Sequence, residues 1–204
     1  MIAIIDYDIG NISAVENMLH RIGAESEITK DPEHIERADK IILPGNGAFD
    51  ACMSNLTASG LVPLLRRKVL EEATPLLGIC VGAQMLGTAS EEGKHAGLGW
   101  LDMTVRRFPE IPGLRVPHMG WDQVCPVIAG HPLLNGIDHE SSFYFVHSYF
   151  MKPVNQSDVL LTAHYGLEFA AGVTHANIAA VQFHPEKSHR FGKQLLSQFA
   201  NWEG

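Results

Sequence analysis

Short apolar runs alternating with helix-like stretches constrain this chain more than any other feature. Ile2–Ile5, Lys40–Leu43 and Leu76–Ile79 are mostly apolar, too short for helices and followed by small or polar turn residues. Each therefore reads as a buried strand. Between them Val15, Met18, Leu19 and Ile22 recur at helical spacing with Gly23 as a stop, while Asp31-Pro32-Glu33 reads as an N-cap opening a helix that runs to about Asp39. Glu25–Thr29 is a weaker, exposed strand, and further helical patterns cover Phe49–Ser59 and Val62–Glu72. The order βαβαβααβ predicts an α/β fold, an open and mostly parallel sheet with helices on both faces. Ligands in such sheets collect at the carboxyl ends of the strands.

The texture changes after Gly97. Leu101–Phe108, Phe143–Tyr149, Val159–His164, Phe169–Thr174 and Ile178–Phe183 resemble strands with few helical patterns between them, so antiparallel strands are expected to extend the parallel core. Arg190–Trp202 closes the chain as a helix. A length of 204 residues suits a single domain spanning 1–204.

Composition excludes several classes. Hydrophobic residues at 46% and charged residues at 19% argue against extended disorder. Fifteen basic against 23 acidic residues, a net charge of −8, leave no electrostatic footprint for nucleic acid. No apolar stretch reaches the ~18 residues of a membrane span, and the chain starts directly in a strand-like run, so a cytoplasmic protein is expected. Cys52, Cys80 and Cys125 are odd in number and widely spaced, forming neither a disulfide framework nor a zinc motif. With no P-loop and no histidine pair at zinc-protease spacing, neither metal nor cofactor is expected.

The chemistry-bearing stretch is PLLGICVGAQ, Pro75–Gln84. Cys80 stands where the strand turns into a helix expected over Val81–Ala89. Gly78 and Gly82 flank it as glycines flank the nucleophile in a G-x-S-x-G elbow, letting the backbone bend tightly. A thiol at a helix N-terminus is favoured as thiolate, and unpaired first-turn amides can donate to a forming oxyanion. A second strand-end loop, Pro44-Gly45-Asn46-Gly47, has glycines that permit amides to face a ligand. Ala179–Phe183 ends at His184-Pro185-Glu186, placing a base and a carboxylate where a Cys-His-Glu triad needs them. Of the 11 histidines, His118 and His147 are the next most interesting; neither has a carboxylate at short spacing, and structural or interface roles are expected for both.

Taken together, IIDYDIGN, LPGNGAF, LLGICVGAQ, SEEG, GLGW, VPHMGW, FYFVHSY and QFHPEKS run nearly end to end. The chain resembles the triad-type (class I) glutamine amidotransferases, and within them is similar to the glutaminase subunits of imidazole glycerol phosphate synthases. The resemblance implies Cys80 as nucleophile, His184 as base and Glu186 as orienting acid. It also implies Gly45, Asn46, Gly47 and Val81 as oxyanion donors, and Gln84, Ser148 and Tyr149 as holders of L-glutamine. Asn11, Met119, Trp121 and Lys187 match positions that meet a synthase (cyclase) subunit, a (β/α)8 barrel that takes the ammonia in a heterodimer. Asp8, Asn46, Val81 and Ala83 depart from the usual pattern. Two alternatives stand beside this reading: a paralogous glutaminase supplying ammonia to a partner that installs an acetamidino group on a surface-polysaccharide sugar, and a non-catalytic regulatory module.

Overall fold

A computed structural model describes residues 1–9 and 12–204. Five strands form its parallel centre: β1 (Ile2–Ile5), β2 (Ser26–Thr29), β3 (Lys40–Leu43), β4 (Leu76–Ile79) and β13 (Ile178–Val181), in the order β2-β1-β3-β4-β13. Each of β1, β4 and β13 is buried along its whole length, which is why these runs are apolar throughout instead of alternating. The sheet continues through β12 (Glu168–His175), β10 (Tyr149–Pro153), β6 (Met103–Arg107) and β5 (Ala89–Ser90); β12, β10 and β6 join by antiparallel pairings. The strands β11 (Val159–His164) and β8 (Cys125–Pro126) attach to its side. A separate two-stranded sheet pairs β7 (His118–Gln123) with β9 (Ser142–His147).

The helices follow from the crossover rule. From β1 the chain steps outward to β2 and then reverses to β3 and β4, so right-handed crossovers put the helix after β1 on one face and those between β2 and β4 on the other. Helix α1 (Ser13–Arg21) buries Val15, Met18 and Leu19 and packs beside the closing helix α6 (His189–Asn201), which buries Leu195, Leu196 and Phe199. Between them in sequence come α2 (Pro32–Glu36), α3 (Phe49–Ala58), α4 (Val62–Arg66) and α5 (Val81–Met85), and α3 packs against α5. The expected helix over Val62–Glu72 divides into α4 and a π-helical turn, Arg67–Glu71.

Three further expectations change in detail. Phe143–Tyr149 is not one strand: β9 ends at His147 and β10 starts at Tyr149, with Ser148 at the corner. β7 was not expected, because Gly120 and the alternation of half-polar residues mask its periodicity. The elbow helix stops at Met85 instead of continuing to Ala89. Its last carbonyls are taken by a returning loop: Leu98 N–H donates to Met85 O at 2.8 Å, and Trp100 and Leu101 both donate to Leu86 O at 2.9 Å. Those bonds replace the next helical turn.

The tightest backbone contact in the parallel centre joins the β3 loop to α5. A Cβ built on Gly82 would lie 2.1 Å from Leu43 O, and one on Gly45 2.0 Å from Gly82 N. Both obstacles are backbone and cannot rotate away. Gly82→Ala is therefore expected to lower the stability measured by urea denaturation by about 3 kcal/mol, the upper range for overpacking; an unchanged midpoint would contradict this close approach.

Candidate active site

Cys80 follows β4 directly and adopts φ 55°, ψ −116°. A non-glycine residue held there stores roughly 1–3 kcal/mol of backbone strain, which the surrounding packing must offset. Neither Gly78 nor Gly82 is among the residues with positive φ, so Cys80 itself absorbs the bend that the flanking glycines were expected to take. The glycines serve close approach instead, Gly82 to Leu43 O and Gly78 to the Cα of Ala83, 2.8 Å from where a Cβ would sit. With only five residues, α5 also contributes less macrodipole than a full helix would.

Parallel pairing with β13 determines what faces the thiol. Val181 lies opposite Ile79, and Cys80 N–H donates to Val181 O at 2.8 Å, so the chain beyond Val181 runs past Cys80. His184 and Glu186 follow on that segment. His184 N–H donates to Tyr144 O at 2.9 Å, and Ser188 Oγ donates to His184 O at 2.6 Å, anchoring the bend from both sides. The Pro185–Lys187 turn brings Glu186 Oε1 to 2.7 Å from His184 Nδ1, with both side chains almost wholly buried. Burial would lower the pKa of His184, but hydrogen bonding to Cys80 and Glu186 and their negative charges outweigh it and raise the ring to about 10. Cys80 follows β4, and His184 and Glu186 follow the paired strand β13, so the three lie on adjacent strand ends.

A cavity of about 210 Å³ opens on Cys80, lined also by Gly47, Val81, Gln84, His147, Ser148 and Tyr149. A larger groove, about 740 Å³, is lined by Glu91, Arg106, Arg107 and Lys152 among others, and includes neither Cys80 nor His184. Gln84 is buried, and its Nε2 donates to Tyr149 O at 3.1 Å and to Gln182 Oε1 at 3.0 Å. Gln182 is fully buried and extends its own amide to 4.0 Å from the Cys80 sulfur. Sequence reasoning missed Gln182, although a lone amide inside the apolar run Ile178–Phe183 was a visible signal.

The loop after β3 divides between two spaces. Gly47, at φ 108°, lines the Cys80 cavity, whereas Gly45 and Asn46 line a small space of about 20 Å³ with His184, Glu186 and Lys187. Two buried donors hold this loop from beneath: Tyr7 O–H donates to Pro44 O, and Cys52 S–H donates to Asn46 O at 3.5 Å. Burial pushes both Tyr7 and Cys52 above their ordinary pKa values and keeps them neutral donors. Neither residue stood out in the sequence, since each resembles ordinary core.

The expected partner-facing residues lie outside the cavity. Met119 and Trp121 are exposed at 61% and 48%. Trp121 stacks on His189 at 5.2 Å between centroids, and Lys187 lies over the Tyr144 ring at 5.8 Å. Asn11 lies outside the described residues. The expectation that His118 lacks a carboxylate partner is corrected: its Nε2 is 3.4 Å from Asp122 Oδ2. Cys125 is an exposed free thiol.

The family pattern described as glutamine amidotransferase class-I matches residues 3–201, and the chain belongs to that family. Over 199 residues it is 52% identical to a Pseudomonas aeruginosa protein named imidazole glycerol phosphate synthase subunit HisH 2, covering 98% of each chain. It is 45% identical over 203 residues to the Bdellovibrio bacteriovorus subunit HisH, covering 98% of this chain and 99% of that one. Among solved structures, a glutamine amidotransferase matches with TM-score 0.76 at 21% identity, covering 98% of this chain and 97% of the other. The structure of PurLQS from Thermotoga maritima matches with TM-score 0.76 at 17% identity and the same coverage. These two likenesses concern the fold.

Because the folded ring of His184 holds its proton above the ordinary 6.5, the stabilisation it contributes is complete below pH 6.5 and disappears as pH rises through about 10. Nitrogen-15 NMR of labelled histidine should show His184 as imidazolium at pH 8, and Glu186→Gln should move its titration downward. A neutral ring at pH 8 in the native protein would contradict this electrostatic account.

Proposed function

We propose that this chain is the glutaminase subunit of an imidazole glycerol phosphate synthase. The observation that supports the reading is a strained, buried Cys80 at the end of β4, with the hydrogen-bonded His184–Glu186 pair following the adjacent strand, in a class I glutamine amidotransferase. The names of the relatives support the histidine-pathway acceptor over a sugar-modifying one.

In this reading His184 takes the thiol proton, the Cys80 sulfur bonds to the side-chain amide carbon of L-glutamine, and the carbonyl electrons move onto oxygen. His184 delivers a proton to the amide nitrogen as the C–N bond breaks, releasing ammonia and leaving a glutamyl thioester. Water then adds to the thioester carbon and gives a proton to His184, and the C–S bond breaks to release glutamate. Glu186 holds the ring by Nδ1 and stabilises its charge throughout. Oxyanion donors are worth roughly 3 kcal/mol each; of the four residues assigned to that role, Gly47 and Val81 line the cavity, while Gly45 and Asn46 shape the loop behind it. Gln84, Ser148 and Tyr149 hold the glutamine.

Ammonia released into water becomes ammonium, which is no nucleophile, so a glutaminase serving synthesis delivers it within a complex. The partner is a synthase of (β/α)8 fold in a cytoplasmic heterodimer, seated on the surface of Met119, Trp121 and Lys187. With that partner and its acceptor, Cys80→Ala is expected to abolish glutamine-dependent synthesis, by at least about 10³-fold, while synthesis from added ammonium salt continues. Retained use of glutamine by the alanine variant would sink the reading.

A further inference from the structure

From the wall of the Cys80 cavity inward runs a chain of hydrogen bonds through His147 and His118, two residues that the steps above leave unused. His147 is 6% exposed; its Nδ1 lies 2.7 Å from Tyr149 O and its Nε2 3.0 Å from Nδ1 of His118. His118, 2% exposed, turns its Nε2 toward Asp122 Oδ2 at 3.4 Å. Tyr149 O is shared: it accepts the Gln84 amide as well, and Gln84 in turn holds Gln182 beside the Cys80 sulfur. The hydrogen-bonded chain therefore starts at His118 on β7 and ends beside the Cys80 sulfur.

Its polarity is determined by its ends. A carbonyl only accepts, so His147 must carry a proton on Nδ1. Burial lowers the pKa of His147 to about 3 against the pull of its hydrogen bond to Tyr149, so the ring is neutral and its Nε2 is bare. The 3.0 Å contact between the rings then requires a proton on Nδ1 of His118. Both rings are thus committed to one tautomer, and His118 keeps its Nδ1 turned to His147. Stacking holds His118 in that orientation, with Tyr165 at 4.0 Å and Phe145 at 4.8 Å between centroids. The second lone pair of Tyr149 O goes to Gln84, so the carbonyl has both acceptor sites filled.

We propose that His118 and His147 are positioning residues for glutamine: by donating to Tyr149 O they hold the β9–β10 corner at Ser148 and, through the shared carbonyl, the Gln84–Gln182 pair beside Cys80. The proposal rests on the glutaminase reading above. Removing the His147 donor leaves a buried carbonyl with one partner and frees Gln84 to turn, which disturbs the binding of the amide more than the bond-breaking steps.

The test is glutamate release by the complete complex of this chain with its synthase subunit. His147→Phe keeps an aromatic ring but no donor, and is expected to raise KM for glutamine about tenfold while kcat changes less than about threefold. His147→Asn places an amide N–H near the former Nδ1 and should bring KM back to within about threefold of the native value. Because the Phe variant risks folding poorly, nitrogen-15 spectra of the native chain give an independent reading: both rings should be Nδ1–H tautomers. An unchanged KM in a folded His147→Phe variant, equal defects in the Phe and Asn variants, or an Nε2–H tautomer at His147 would overturn this inference. A native complex that releases no glutamate would instead overturn the glutaminase reading, and the tautomers would still decide whether the hydrogen-bond chain exists.

Discussion

The chemistry available to this molecule depends on one parallel pairing, that of β4 with β13. Leu76–Ile79 and Ile178–Val181 are about a hundred residues apart in sequence and run side by side in register. Without that register the strand end that carries Cys80 would not lie beside the one that leads to His184 and Glu186. Closing so long a loop costs conformational entropy before any contact stabilises the fold. Apolar burial offsets that cost, since both strands lie wholly inside the sheet and their side chains join one continuous core.

Around that pairing, the site is assembled by backbone at least as much as by side chains. Gly45 and Gly82 let the loop after β3 touch the start of α5, so the distance between loop and elbow is set by main-chain contact. Main-chain contacts of this kind cannot relax through rotamer changes. Tyr7 and Cys52 hold the same loop from the core side by its carbonyls. The strained φ of Cys80 is sustained by this enclosure, in keeping with strain persisting where surrounding structure over-determines it.

Behind the thiol, four buried polar side chains form a connected network, apart from the His184–Glu186 pair, whose Glu186 Oε2 has no partner among the described residues. Gln84, Gln182, His147 and His118 are all nearly inaccessible, and each has a hydrogen-bond partner. A buried amide or imidazole left unpaired would cost about 1–3 kcal/mol, so losing one member weakens the hold on the others. This interdependence ties the small β7–β9 sheet to the central one, since His147 closes β9 and Tyr149 opens β10.

Much of the architecture was legible in the residues. Fully buried strands betray themselves by unbroken apolar runs, and the order of strands and helices through β4 follows from periodicity with no knowledge of contacts. Cys80, His184 and Glu186 stood out because reactive residue types followed such runs. Gln182, Tyr7, Cys52 and the His118–Asp122 pair did not, because their roles come from neighbours distant in sequence. The elbow helix was overestimated because its stop is made by amides of Leu98–Leu101, which no local pattern announces. What the sequence by itself determined is the set of elements and the rim where chemistry would gather, since both depend on local patterning and on strand direction. Only the tertiary structure decided which backbone bends, which amides and rings share a carbonyl, and how the pKa of His184 moves, because those depend on distances between segments that chain order alone does not specify.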